Sequence, residues 1–505
     1  MMRELINLTG TDDKNKRNGI YLSYEKDCRE RKTMNNHQKK ASVIVRHLDA
    51  PHQTESFTKF MPLNEKLKAE LKRAIYEIFD QAGGEKLLKE SREVFIKPNG
   101  IDGQPYCYTR PEAIEAAIEY WNEHGAKKVW LFENSTQSNA TRLVFAITGY
   151  DKICRRTGAV PVYLDEDETV EYEFKGRADV SKDPEGYVST KFDMPRFVID
   201  NLIVNKDKNL YISIPKLKTH SMAGVTLGVK NQWAFPCQSA RGFDHNYNLA
   251  NKLVDVLSYV RPDFTILEGV EGTIYGHYPV TALADQAVLP LRVLVAGKNV
   301  VATDMVGAAV FGLTLEDVPH LRIAVEKGYS DGVTSLENID IRGDMSMYQT
   351  KYPYDLYDCY PKDVKIIKGK ERCCKQGCQN NPLTLLQILY KDHGGKGGWT
   401  MVMGKGHDLK EIDAIEGKVL IVGDCAINEV GDRLIGRLGR KNVYLSHKCN
   451  SLASTAAAMF HLMKVSPMVF VPINPLKALS CLTLARLHGS KALVPSTLSR
   501  IIKTV

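Results

Sequence analysis

Residues 93–132 read EVFIKPNGIDGQPYCYTRPEAIEAAIEYWNEHGAKKVWLF, and their hydrophobic pattern decides the fold class. The apolar run Glu93-Val-Phe-Ile-Lys97 predicts a short buried strand entering a Pro-Asn-Gly turn. Residues 111–124 carry apolar side chains at helical spacing behind Pro111, and a helix accepts proline at its first position because that N–H has no intrahelical partner. Val129-Trp-Leu-Phe132 reads as the next strand. Strand, helix, strand in that order requires a crossover, so the two strands are parallel neighbours in a helix-covered sheet.

The same alternation extends in both directions. Upstream, residues 62–90 place Leu67, Leu71, Ile75 and Ile78 on one helical face. Downstream, a helix over 140–157 and a strand over 160–164 are followed by a charged, irregular excursion. Strands over 210–214, 263–267 and 291–296 then alternate with helices over 246–260 and 302–310. The reading is α/β, a doubly wound parallel sheet domain whose ligand groups should cluster at the carboxyl ends of its strands. Residues 345–370, rich in Tyr, Lys, Asp and Pro without a clear period, mark a boundary. A second, smaller cysteine-containing α/β domain follows, with strands over 400–403, 418–422, 442–445 and 468–471 and a helix over 451–463. The expected domains are a polar, disordered leader over 1–45, an α/β domain over 46–345, a linker over 346–370 and the cysteine-containing domain over 371–505.

Composition narrows the function classes. A chain of 505 residues, 43% hydrophobic and 25% charged, has ample apolar material for two or three cores. Its net charge of +8 looks basic, but residues 1–45 hold ten Lys/Arg against six Asp/Glu, so half the excess sits in the leader. That weakens a nucleic-acid reading, and no aromatic and basic interleaving supports one. The leader lacks the apolar run of a signal peptide, and no stretch suits a membrane span, so the expectation is a cytoplasmic protein without a membrane partner. Met1 and Met34 are both possible starts.

The segment Pro215-Lys-Leu-Lys-Thr-His220-Ser-Met-Ala-Gly-Val-Thr-Leu-Gly-Val-Lys230-Asn231 leaves the strand over 210–214 with three lysines and a histidine. Glycines interleaved with cations let backbone approach a ligand while charges converge, which suits a carboxylate or phosphate. The competing reading is a loop of solvated lysines with a hydrogen-bonded histidine. Together with Ile96-Lys-Pro-Asn99 and Ala302-Thr-Asp304-Met-Val306, this segment resembles, over roughly the middle half of the chain, the bacterial and archaeal family called domain of unknown function 362. The resemblance implies a shared pocket containing Lys97, Asn99, Lys216, Lys218, His220, Lys230, Asn231 and Asp304. Glu268, just after its strand, joins them by position.

A more distant similarity is to the nickel-pincer lactate racemase family, in which a histidine precedes the cofactor-anchoring lysine by ten residues, as His220 precedes Lys230. Thr109-Arg110-Pro111 is similar to that family's carboxylate-binding motif, although Cys107 and Tyr108 stand where it has Asp and His. A similar pocket position is implied, without a nickel cofactor. Arg110 and Lys216 would fix a carboxylate, and His220 would act as an acid or base near neutral pH. The catalytic set is then His220, Lys230, Glu268 and Asp304, and the substrate-binding set Lys97, Asn99, Arg110, Lys216, Lys218 and Asn231.

Eleven cysteines are too few for a disulfide scaffold in a chain this long. Cys374, or its neighbour Cys373, lies with Cys378 on one loop, while Cys425 and Cys449 each follow a strand of the second domain. If those strands are parallel neighbours, four soft ligands emerge at one sheet edge, suiting an iron-sulfur cluster or Zn²⁺. The alternative is small buried apolar residues, as free cysteines often are. Some relatives in the resembling family carry ferredoxin-type cysteine runs, which are missing here. The expected function is an enzyme, an oxidoreductase or isomerase, acting on a small anionic substrate by proton transfer or a redox step, with an electron-transfer partner if a cluster binds. The alternative is a non-catalytic iron-sulfur or metal carrier.

Overall fold

The computed structural model describes residues 41–49, 65–88, 92–136, 139–176, 189–237 and 245–492. The predicted leader therefore lies outside the described residues up to residue 40. Its last part does not fit the expectation, because Ser42–His47 is a strand, β1. Val43, Ile44 and Val45 alternate between the two faces of a sheet and bury there, which a polar tail cannot do.

Chain order then gives β2 (Glu93–Pro98), β3 (Lys128–Glu133), β4 (Val160–Tyr163), β5 (Thr169–Glu173), β6 (Lys191–Pro195), β7 (Asn209–Ile214), β8 (Lys216–His220) and β9 (Gly224–Thr226). They are followed by β10 (Phe264–Thr273), β11 (Val288–Leu289), β12 (Val293–Gly297) and β13 (Asp340–Arg342). The main sheet runs β13-β1-β12-β10-β7-β2-β3-β4, with β8, β9 and β11 attached beside β10. From β10 to β4 every pair is parallel. On the other side β12 runs antiparallel to both β10 and β1, so the parallel-rich sheet closes with a mixed edge.

Alternation assigns the faces. Val94, Ile96, Leu210, Ile212 and Ile214 pack against the helices Glu65–Gln81 and Pro111–Glu123. Phe95, Phe132 and Tyr211 face the opposite layer, which includes the helix Leu249–Tyr259. Helices thus cover both faces, the doubly wound arrangement. The predicted helix over 140–157 is two helices, Thr141–Thr148 and Tyr150–Thr157, separated by Gly149 at φ 84°. Only glycine takes that left-handed conformation without penalty.

A second sheet holds four parallel strands in the order β14 (Val364–Lys368), β15 (Trp399–Met403), β16 (Val419–Val422) and β17 (Val443–Ser446). Its first strand lies inside the segment expected to be a linker. Where a strand is expected over 468–471, the chain forms a short 3-10 turn, Pro467–Phe470, opened by Pro467, which brings no N–H to a ladder. Both sheets belong to one compact unit beginning at Ala41.

Candidate functional site

The carboxyl ends of β2, β3, β7 and β10 bring the expected residues together, but as two buried ion networks. Lys97 Nζ meets Glu133 Oε1 at 2.7 Å, with both side chains essentially inaccessible. Asn231 Oδ1 accepts from Lys97 Nζ and from Asn99 Nδ2, each at 3.2 Å. Beside them Lys216 Nζ lies 2.9 and 3.0 Å from the Glu268 carboxylate and 3.2 Å from Glu271. Arg110 forks onto Glu271, with Nε at 3.0 Å, while its backbone N–H donates to Glu268. Burial pushes the Glu271 carboxyl up, but Arg110 and Lys216 overcome it and hold the group down to about 2.

These pairings change the expected roles. Lys97, Lys216 and Arg110 are already neutralised by carboxylates, so they are poor holders of an external anion, and the carboxylate-fixing role drawn from the racemase resemblance does not suit Arg110. Asn99 and Asn231 join the lysine network, and Glu268 serves as a buried counterion. Asp304 accepts one backbone N–H on each oxygen, from Gly228 and Val229 at 2.7 Å, which fixes the turn carrying Lys230 and Asn231. Burial pushes its carboxyl up to about 8. It positions the turn instead of meeting a substrate.

Further along β8 the environment reverses sign. Lys218 is fully buried with its ammonium on the Cys107 carbonyl, and burial brings its pKa down to about 8. His220 Nδ1 accepts the Met222 N–H at 3.1 Å. A backbone N–H can only donate, so the neutral ring carries its proton on Nε2. Burial, with His277, Lys230, His245 and Lys218 adding like charge, keeps His220 well below its ordinary pKa. It is therefore a fixed neutral N–H donor, not the acid or base near pH 7 that the sequence suggests; a buried neutral imidazole can still stabilise negative charge. His277 stacks on it with centroids 3.9 Å apart and planes within 5°. Nδ1 of His277 and both ring nitrogens of His320 are buried without a hydrogen bond among the described residues.

The hairpin holding this donor is tight. Gly224 pairs with His220 across β8 and β9 at φ 79°, and an added Cβ would stand 2.7 Å from the Asp317 carbonyl oxygen. Gly224→Ala is expected to cost about 2 to 4 kcal/mol from positive φ plus overpacking, measured by urea unfolding.

Cysteines gather at the carboxyl edge of the second sheet. Cys373 and Cys374 lie beyond β14, Cys425 beyond β16 and Cys449 beyond β17, while Cys378 shares the Cys374 loop. Cys373 and Cys378 are in hydrogen-bonding contact, and the Cys378 thiol together with Lys368 lowers the Cys373 pKa. Arg372 Nη2 lies 3.3 Å from the Cys425 sulfur. Among the described residues no three His, Cys, Asp or Glu stand ready to close on a single metal ion. The fold brings these thiols close enough to one another to interact electrostatically.

The two assemblies touch. Asn246 Nδ2 reaches the Cys449 sulfur at 3.9 Å, and Asn380 Nδ2, two residues after Cys378, donates to the Ser221 carbonyl at 2.9 Å. His245 stacks edge-on against Trp233, 5.6 Å between centroids.

Residues that sequence reading passed over include Glu133, Glu271, His277 and His320. Glu133 directly follows a predicted strand and Glu271 lies three residues after Glu268, so the strand-end rule could have found both. Nothing local marks the two histidines.

Fold and site together define an α/β protein with two parallel-rich sheets meeting at a histidine, lysine and thiol seam. Residues 94–309 match the family model for a domain of unknown function, DUF362. A thylakoid-associated protein of Synechocystis sp. is 27% identical over 198 residues, 36% of this chain and 53% of that relative, so the alignment spans about half the relative's length. A Thermotoga maritima protein of known structure is 10% identical with a TM-score of 0.32, covering 79% of this chain and 84% of its own. No helix among the described residues is long and apolar enough to cross a membrane.

Proposed function

We propose that the protein is an enzyme that binds a small carboxylate- or phosphate-bearing molecule at the seam between the two sheets and acts on it in a redox step served by a thiol-held iron-sulfur cluster. The observation carrying this reading is the pair of contacts that join the sites, Asn246 to Cys449 and Asn380 to Ser221. The thiols fit such a group in kind, being soft donors on loops of one sheet edge, with an amide N–H of Asn246 directed at a sulfur. When bound, the cluster would take up or release single electrons. The chain's own part is to hold the anion: His220 presents Nε2–H, and Lys218 can carry or yield a proton near neutrality. Lys230 adds positive potential at His220.

Anaerobically purified protein is expected to show broad visible absorbance with matching iron and acid-labile sulfide, both lost in Cys425→Ala and Cys449→Ala. Colourless protein with every cysteine titratable would sink the cluster. Inorganic phosphate or malonate is expected to raise the melting temperature of the wild type and not of His220→Ala or Lys218→Ala. An iron- and sulfide-containing protein whose anion response ignores both substitutions would be a carrier.

A further inference from the structure

Six of the eleven exposed large hydrophobic side chains among the described residues fall within 20 residues of chain, 468–487. Leu476, Leu487 and Leu479 are 77%, 76% and 62% exposed, with Met468, Leu484 and Val469 beside them in sequence. Such a concentration along the chain departs from the single scattered residues expected of any surface. The helix Pro475–Leu487 uses its other face for packing: Ala478, Cys481, Leu482 and Ala485 lie against Ala140, Leu143 and Ile147. Leu476, Leu479, Thr483 and Leu487 are spaced so that they share the outward face. Three leucines on that face, with Ser480 and Thr483 between them, stand where a surface helix is ordinarily polar.

Along this part of the chain the charge is one-sided, while in space Asp165 and Glu166 approach the end of the helix. From Arg433 to Val505 the sequence has no Asp or Glu and eleven Lys or Arg. Lys477 is shared with Asp151, but Arg486 spends its donors on the carbonyls of Ser490 and Ala492, so its charge is not cancelled there. Lys464 and His488 are also exposed. Thirteen residues make a helix of roughly 20 Å at 1.5 Å per residue, too short to span a bilayer but suited to lying in its surface.

We infer that the helix Pro475–Leu487 and the turn Pro467–Phe470 preceding it dock the protein onto an anionic lipid surface, leucines among the acyl chains and cations at the headgroups. This runs against the expectation that the protein has no membrane partner. A bilayer is favoured over a protein groove because the apolar face is combined with an acid-free, basic stretch of chain, the pairing that anionic membranes select.

The test is co-sedimentation of the full chain with vesicles of equal parts phosphatidylcholine and phosphatidylglycerol. Wild type is expected to pellet with these, more weakly as salt rises, and not with phosphatidylcholine alone. The triple variant Leu476→Ser, Leu479→Ser, Leu487→Ser should keep its melting temperature and bind about a hundredfold more weakly. Failure of wild type to pellet, equal pelleting of the triple variant, or equal pelleting with phosphatidylcholine alone would each overturn the inference. So would sedimentation equilibrium showing a wild-type dimer that the triple variant dissociates, since the face would then be covered by a second copy.

Discussion

Lys216→Ala is expected to destabilise the protein by about 3 to 5 kcal/mol, read from urea unfolding at neutral pH. Lys216 and Glu268 have no measurable exposure, and the ammonium sits within 3.2 Å of oxygens from both Glu268 and Glu271. Without it two buried carboxylates remain, and of these two the Arg110 guanidinium forks onto Glu271. Leaving a buried charge uncompensated costs more than the pair itself contributes, because desolvation has already been incurred on folding. Adding Glu268→Gln to Lys216→Ala should therefore recover part of the loss, a non-additivity of about 1 to 3 kcal/mol for groups in contact. A residue that held substrate would behave oppositely: its removal would cost little stability and would abolish binding of phosphate or malonate. A loss below about 1 kcal/mol, as for an exposed ion pair, would refute the structural assignment.

The contrast between these two roles explains what the sequence could and could not disclose. Strand, helix, strand at 93–132 was legible because apolar periods of two and 3.6 are local, and the crossover rule then forces a parallel sheet. The antiparallel edge was not legible, since β1 follows a polar segment and pairs with β12, some 250 residues away, through Val43 and Gly297. Met468 and Val469 are apolar enough for a strand, but their side chains remain exposed in a turn after Pro467. Convergence of Cys425 and Cys449 was foreseeable because each follows a strand of one parallel sheet. For the cations the sequence showed position without partner. Lys97 meets Glu133, Arg110 meets Glu271 and Lys216 meets Glu268, acids from other strands that neutralise them. Lys218 and His220, two and four residues beyond Lys216, escape that neutralisation because β8 carries them away from the acids and toward the second sheet.

His320→Leu is expected to gain stability over the wild type steadily as pH falls below about 6.5, the ordinary histidine pKa. His320 is fully buried, its ring lies against the Ala223 backbone without a well-formed hydrogen bond on either nitrogen, and Lys230 adds like charge. Burial first, then Lys230, brings its pKa down to about 3. Between the two values the unfolded chain takes up a proton that the folded protein refuses, so acid favours unfolding. Each pH unit costs the wild type roughly 1.4 kcal/mol, and the window from about 6.5 to about 3 costs about 5 kcal/mol in all. Comparing the two proteins isolates this contribution from His220 and His277, which act in the same direction, and from Asp304, whose raised pKa acts in the opposite one. Above about pH 7 the difference should be flat, with leucine the more stable because two unsatisfied ring nitrogens leave the core. Urea unfolding at successive pH values measures it directly. Curves that stay parallel down to about pH 4 would mean that His320 is protonated in the folded protein and that a counter-charge stands beside it.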